Sequence, residues 1–261
     1  MPQAVSFDSL PLWGVYLATS LIALLAVELG FRLARNRLQH SLHEGEPSVG
    51  AIVAATLGLL AFMLAFTFSL AASRFDARKG FILEEANVID TTYLRAQLLP
   101  EPQRAEIRKL LREYVEVELQ LVQPDKTGSA LRRATELQSA LWSRSVTAVE
   151  TNPGPSVALF VESLNEVFDV HAKRLNLGIR NRVPVSIWAA LYFVSIITMA
   201  AVGFHAGMTA TRRSPVMVAL VLTFSAVILL IADLDRPYEG LLRINQQAIV
   251  DLRDSFTQST P

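Results

Sequence analysis

The chain has 261 residues, 51% of them apolar, with 24 basic and 24 acidic side chains and no cysteine. Such a balance suits a helical membrane protein with a polar part better than a soluble domain. The zero formal charge gives no bulk field for nucleic acid, and the lack of cysteine excludes disulfides, thiol nucleophiles and zinc–thiolate sites.

The N-terminal stretch MPQAVSFDSLPLW carries no Lys or Arg ahead of the first apolar run, so that run reads as a retained anchor, not a secretory signal. Four stretches are long enough to cross about 30 Å of hydrocarbon: Leu10 to Phe31, Val49 to Ala72, Val183 to Ala210 and Pro215 to Ala232. Each must be helical, because lipid offers no partner to backbone N–H and C=O groups. In the first, Glu28 precedes Arg32 by four residues, the spacing of a helical ion pair. After it comes the basic RLARNR at 32–37, then HSLHEGE, where His40, His43, Glu44 and Glu46 offer a weak metal-ligand pattern.

The second span carries Gly50, Ala51, Ala54, Ala55, Gly58, Ala61 and Ala65, three and four residues apart, which admit close approach of another helix. Phe62, Phe66 and Phe68 follow; around a common axis their rings would form an apolar gate. Apart from Gly80, nothing from Val49 to Leu99 breaks a helix, which predicts one rod of about 75 Å. Beyond the bilayer this rod has Gly80, Glu84, Asn87, Thr91 and Arg95 on one stripe, and Phe81, Ile82, Val88, Ile89 and Tyr93 on its other faces. Such a stripe on a central helix needs partners or water, and so is either an interhelical hydrogen-bond network or a hydrated path for ions.

Residues 73–182 hold 16 basic and 15 acidic residues and no strand pattern. Apolar residues recur at helical spacing in three sets: Ile107, Leu110, Leu111, Tyr114, Val115 and Leu121; Leu131, Ala134, Leu137, Leu141, Trp142, Val146 and Val149; and Phe160, Leu164, Val167, Phe168, His171 and Leu175. Breaks fall at LPEPQ, QPDKTGS and TNPGPS. The prediction is a small helical bundle inserted between spans two and three.

The third span has Gly203 and Gly207 in G-x-x-x-G spacing and one ionisable group, His205. The basic TRR at 211–213 precedes span four, which ends in LIADLDRPYEG. Any odd-even threading puts the ends of spans two and four on one face, so Arg74, Arg78, Asp233, Asp235 and Arg236 are expected to form an ionic collar. The basic short loops place themselves in the cytoplasm and the insert outside, in a multi-pass plasma (inner) membrane protein. Amphipathic LLRINQQAIVDLRDSF, with Leu242, Ile249, Leu252 and Phe256 on one side, docks on the insert or lies at the membrane surface. The divisions expected are therefore 1–72 and 183–236 as transmembrane hairpins, 73–182 as an extramembrane bundle and 237–261 as an amphipathic tail.

LAFTFSLAASRFDARKG, EEAN at 84–87, TTYLRAQLLP at 91–100, LLREY at 110–114 and LDRPYEG at 234–240 resemble the bestrophin-like domain family of bacterial and plant membrane proteins. The resemblance covers nearly the whole chain. It implies kinship with bestrophins, oligomeric anion channels with an apolar pore neck, and hence a homo-oligomer in lipid that passes inorganic ions and needs no cofactor. No phosphate-binding glycine loop, nucleophile elbow or H-E-x-x-H motif points to an enzyme. The alternative is a membrane-anchored scaffold or sensor whose helical insert binds a partner.

Overall fold

Every regular element among the described residues is a helix, as the strand-free sequence pattern requires. The computed structural model describes residues 11–40, 49–123, 125–176, 182–209, 215–236, 240–242 and 244–258. In chain order the helices are α1 (Leu12–His40), α2 (Val49–Ala96), α3 (Gln103–Gln120), α4 (Thr127–Thr151), α5 (Pro155–Lys173), α6 (Val185–Met208), α7 (Pro215–Asp235) and α8 (Gln247–Gln258). Four of them, α1, α2, α6 and α7, are long and apolar enough to cross a membrane. The spans expected at Val49 to Ala72 and Pro215 to Ala232 fall within α2 and α7, and those expected at Leu10 to Phe31 and Val183 to Ala210 overlap α1, which begins at Leu12, and α6, which runs only from Val185 to Met208. α1 runs past the predicted end of the first span to His40, since no Gly or Pro between Phe31 and His40 supplies a stop signal.

α2 is one helix of 48 residues, about 70 Å long, and passes through Ser73 without interruption. It ends at Ala96, three residues before the predicted Leu99, in turns closed by Leu98 N–H to Arg95 C=O and Leu99 N–H to Ala96 C=O.

The chain divides into two compact units. The first comprises Met1–Arg74, Arg182–Arg236 and Gly240–Leu242. Its organising contact is α1 against α6. A Cβ built on Gly30 would overlap the Ala200 carbonyl, and one built on Gly203 would overlap the Val27 carbonyl. One built on Gly207 would lie 2.6 Å from the Ala34 Cβ. These glycines let the two backbones touch, which in lipid is where dispersion energy is gained, since apolar side chains alone have no water to escape. The G-x-x-x-G pair of span three therefore packs within the chain. α7 also packs on α1, and the Thr19 and Tyr192 hydroxyls share a hydrogen bond of 3.0 Å.

The second unit comprises Phe75–Asn181, Pro237–Glu239 and Arg243–Pro261. Its core joins Ile82, Ile89 and Tyr93 of α2 to Ile107, Leu111 and Tyr114 of α3, Leu137 and Leu141 of α4, and Phe160, Leu164 and Val167 of α5. α5 begins cleanly because Pro155 has the fixed φ of a first helical residue and Gly154 before it is extended. α8 packs on α3 and buries Ile249, Leu252 and Phe256, so its apolar side is covered by the polar helices of this unit. Leu242, expected on the same apolar side, lies before α8 and is exposed. Sequence periodicity also misassigned part of α4. The buried stripe is Ala130, Ala134, Leu137, Leu141, Ser145 and Ala148, while Trp142, Val146 and Val149 are exposed. The competing stripes are about 100° apart, and the smaller side chains won the core.

Candidate functional site

α2 carries most of the residues that the sequence singles out. Within the membrane-length half, only Val53, Leu60, Leu64, Thr67 and Ala71 are buried, spaced seven, four, three and four residues apart. That leaves a broad opposite surface. Ala51, Ala55, Gly58, Phe62 and Phe66 are all exposed, Phe62 at 68% and Phe66 at 65% of full accessibility. The two phenylalanines stack on each other with centroids 6.5 Å apart. A Cβ built on Gly58 would meet nothing within 4 Å.

The polar stripe of α2 is exposed as well. Glu84, Asn87 and Thr91 are open, and Arg95 is partly buried with its Nη1 donating to the Leu159 carbonyl at 2.9 Å. Glu84 lies 4.0 Å from Lys173 Nζ. Phe66 and Glu84 are eighteen residues apart, which is five turns of an α-helix, so on α2 they share a face. The same count puts Phe62, Gly80, Thr91 and Arg95 within about 40° of that line.

The collar residues have definite positions too. Asp233 and Asp235 at the end of α7 are buried. The two Asp233 oxygens accept the Leu241 N–H at 2.8 Å and the Leu242 N–H at 3.1 Å. Asp235 Oδ1 accepts the Val183 N–H at 2.8 Å. Backbone amides therefore supply part of what the buried carboxylates lose in hydration. Arg78 and Arg236 are buried; Arg74 is partly buried. Glu28 and Arg32 form the expected pair at 2.7 Å. His205 faces Gly50, where an added Cβ would sit 3.3 Å from the ring. The possible metal stretch at 40–46 lies outside the described side chains.

A second polar centre lies inside the Phe75–Asn181 unit. Glu85 of α2, Glu118 of α3, and His171 and Arg174 at the end of α5 are all buried. Arg174 Nη1 donates to Glu118 Oε2 at 2.7 Å and to Glu85 Oε2. His171 Nδ1 is 3.0 Å from Glu118 Oε1 and 3.4 Å from Glu85 Oε1. The Tyr114 ring lies beside the imidazole, and the Tyr114 hydroxyl accepts from Gln138 Nε2 at 3.2 Å. Burial alone would lower the His171 pKa, but its bonds to Glu118 and Glu85 and their charges outweigh this and raise it to about 9. Burial and the neighbouring Glu118 raise Glu85 above the ordinary carboxylate value. For Glu118, burial is outweighed by the His171 bond and the Arg174 charge, so it is lowered. Burial and the two carboxylates push Tyr114 well above its ordinary value.

With His171 protonated, the two carboxylates face two cations and the centre is neutral. Glu85, Glu118 and His171 also offer ligand atoms within 4.8 Å of one another, a donor set that would suit a divalent ion. Metal binding would require neutral His171 and, with Arg174 retained, would leave a net positive charge. Charge counting therefore favours the proton.

The bestrophin-like domain model matches residues 17–249. This chain belongs to the bestrophin-like domain family. It is accordingly a membrane protein, and the match runs through α1, α2, the polar helices and both later spans. Solved structures agree with this fold. A crystal structure of a point variant of a membrane protein has a TM-score of 0.68 at 15% identity, covering 93% of this chain and 96% of that one. A point variant of a bacterial bestrophin homologue from Klebsiella pneumoniae has a TM-score of 0.63 at 16% identity, covering 94% and 97%. No curated protein sequence matches.

Sequence reasoning placed His171 among apolar residues and gave Glu85, Glu118 and Arg174 no part in a buried centre of this bestrophin-like chain. One signal was available. Glu118 follows Tyr114 by four residues and Val115 by three, so it occupies a core slot of α3. A carboxylate in such a slot calls for a buried cation. The adjacent Glu84 and Glu85 were harder to separate, because they lie 100° apart and the identity of the inner one depends on where the core is.

Proposed function

We propose that this protein is a homo-oligomeric ion channel, selective for anions, whose axis is lined by α2. The carrying observation is the exposed face of α2, on which Phe62 and Phe66 are followed at helical register by Glu84, Asn87, Thr91 and Arg95. A membrane helix with small residues and stacked rings left uncovered in one chain suits packing against copies of itself. Rings gathered at an axis would make a dewetting constriction, and the polar stripe would line a hydrated path beyond it. Residues 1–72 and 183–236 form the membrane part in this reading, with 73–182 outside the bilayer and 237–261 as a tail. Arg74, Arg78, Asp233, Asp235 and Arg236 fix how helices leave the bilayer. Anion preference and oligomerisation are supported by the resemblance to bestrophins, and the basic short loops support a cytoplasmic position for themselves.

The test is conductance of purified protein in planar bilayers under a chloride gradient. A reversal potential near that of chloride is expected, with conductance altered by Phe66→Ala, Glu84→Ala or Asn87→Ala. Absence of current at all voltages, together with a monomeric mass in detergent, would overturn the proposal.

A second reading, a membrane-anchored scaffold, is favoured by one observation. Trp142, Val146 and Val149 form an exposed apolar stripe on α4. It predicts capture of a partner by the full-length protein that Trp142→Ala abolishes, without conductance.

A further inference from the structure

Arg104, Arg108 and Arg112 recur every four residues along one face of α3, and Lys109 adjoins them. Like charges at this spacing destabilise a helix, so the ladder needs compensation. Of the other carboxylates on the helix, Glu106 pairs with Arg144, Glu113 with Arg133 and Glu118 with Arg174, while Glu116, four residues after Arg112, lies in the field of Arg253 and in no ion pair among the described residues. Glu101 answers the ladder through Arg104 Nε at 2.9 Å. Among the described residues no carboxylate pairs with Arg108, Lys109 or Arg112.

These residues line a cavity of about 300 Å³, open on one side, together with Glu101 and Ala105. Two of the guanidinium groups are held by a built support. Arg108 Nη2 donates to the Tyr93 hydroxyl at 2.9 Å, and Arg112 Nε donates to the same oxygen at 3.0 Å. Tyr93 is 1% exposed, and its ring stacks on Phe256 at 3.8 Å while Arg108 lies over the ring at 4.5 Å. With both lone pairs of its oxygen occupied, the hydroxyl has only its proton left to offer, and no acceptor receives it among the described residues. Arg108 Nε is likewise buried without an acceptor. A buried donor left unmatched is costly, and here two donors lie beside a cationic cavity.

We propose that this cavity on α3 binds a phosphate-bearing anion through Arg108, Arg112 and Lys109, with Tyr93 as the positioning residue. Guanidinium forks match phosphate oxygens in pairs, and a polyvalent anion would offset at once three cations that no carboxylate pairs with among the described residues. The site does not depend on the channel reading, because it lies wholly within the Phe75–Asn181 unit and its α8 cover. The phosphate could come from a soluble metabolite or from a lipid headgroup.

The experiment is binding by calorimetry and thermal protection of the full-length protein, with inorganic pyrophosphate in detergent as one arm. The other arm uses nanodiscs with and without phosphoinositide. Protection by pyrophosphate in detergent supports a soluble source; protection confined to phosphoinositide nanodiscs supports a headgroup. Either should weaken about tenfold or more in Arg108→Gln/Arg112→Gln. Should that variant not fold, Lys109→Gln, which removes an exposed side chain, should still weaken binding several-fold. Tyr93→Phe should weaken binding while leaving the fold intact. Equal protection by chloride at matched ionic strength, protection undiminished in the variants, or no protection in either arm would overturn the proposal.

Discussion

His171 Nδ1 lies 3.0 Å from Glu118 Oε1 at the centre of the helical unit, with Glu85 and Arg174 completing a buried, neutral quartet. The imidazole is therefore a cation held in place by carboxylates from two other helices. Its pKa rises from 6.5 unfolded to about 9 folded. A raised value means that the folded state binds the proton more tightly. The stabilisation is then fully present below the unfolded value and is lost as pH climbs through the folded one. The expected outcome is a loss of stability between about pH 6.5 and pH 9, on the order of 3 kcal/mol and read as a falling thermal midpoint, that His171→Gln removes. Glu85, Tyr114, Glu118 and Arg174 also face this proton, so the profile is read as a difference between wild type and variant. A difference that stays constant across that range would contradict the assignment.

Removing Arg174 should be the most damaging change at this centre. Arg174→Met leaves two buried carboxylates with only the imidazolium between them, a loss of about 3–5 kcal/mol by analogy with other broken buried pairs. The two carboxylates should differ. Glu118 is held in its charged form, so Glu118→Gln removes a paired anion. Glu85 is raised by burial and by Glu118, so the neutral Glu85→Gln should cost less. Chemical denaturation of the three variants checks the order, and equal losses at the two glutamates would refute the asymmetry.

The outline of the fold was legible because its signals are long and local. α2 has no breaker from Val49 to Ala96, and the four apolar runs leave no alternative to helix in lipid. The α3 apolar set was right at Ile107, Leu111, Tyr114 and Val115, all fully buried. What failed depended on choosing among neighbouring faces. On α4, Leu141 is inside and Trp142 is outside, although both fit a helical stripe. On α2, Glu84 is open and Glu85 is inside. Asp233 was legible as a buried charge; its backbone partners Leu241 and Leu242 were not, because amide donors leave no trace in side-chain chemistry. Arg108 and Arg112 were given no role by the sequence, and only the fold reveals that Tyr93 collects both.

Glycines on the membrane helices should separate into two classes. Gly203→Val forces α1 and α6 apart, because the added atoms meet the Val27 backbone and not a movable side chain. A loss of about 3 kcal/mol or more in the chain's own stability is expected. Gly58 has open space around it, so Gly58→Val should leave that stability within about 0.5 kcal/mol of wild type. If α2 meets copies of itself, the same change should lower the assembled mass measured in detergent by light scattering. Loss of monomer stability in Gly58→Val would show that its face is already occupied.

The turn after α7 gives the last prediction. Asp233 binds consecutive amides with both oxygens, and a Cβ on Gly240 would overlap its Oδ1. Position 240 is thus open only to glycine while the carboxylate stays in place. Asp233→Asn replaces one acceptor oxygen with a donor and should cost about 1–3 kcal/mol, since a backbone N–H then faces an NH₂. Gly240→Ala should cost a similar amount by displacing the same carboxylate. Because both changes break one arrangement, the double variant should be little worse than the more damaging single one. A double-mutant cycle on thermal stability in detergent measures this. Fully additive losses would mean that the glycine and the aspartate act separately, and the turn would then need another explanation for its close approach.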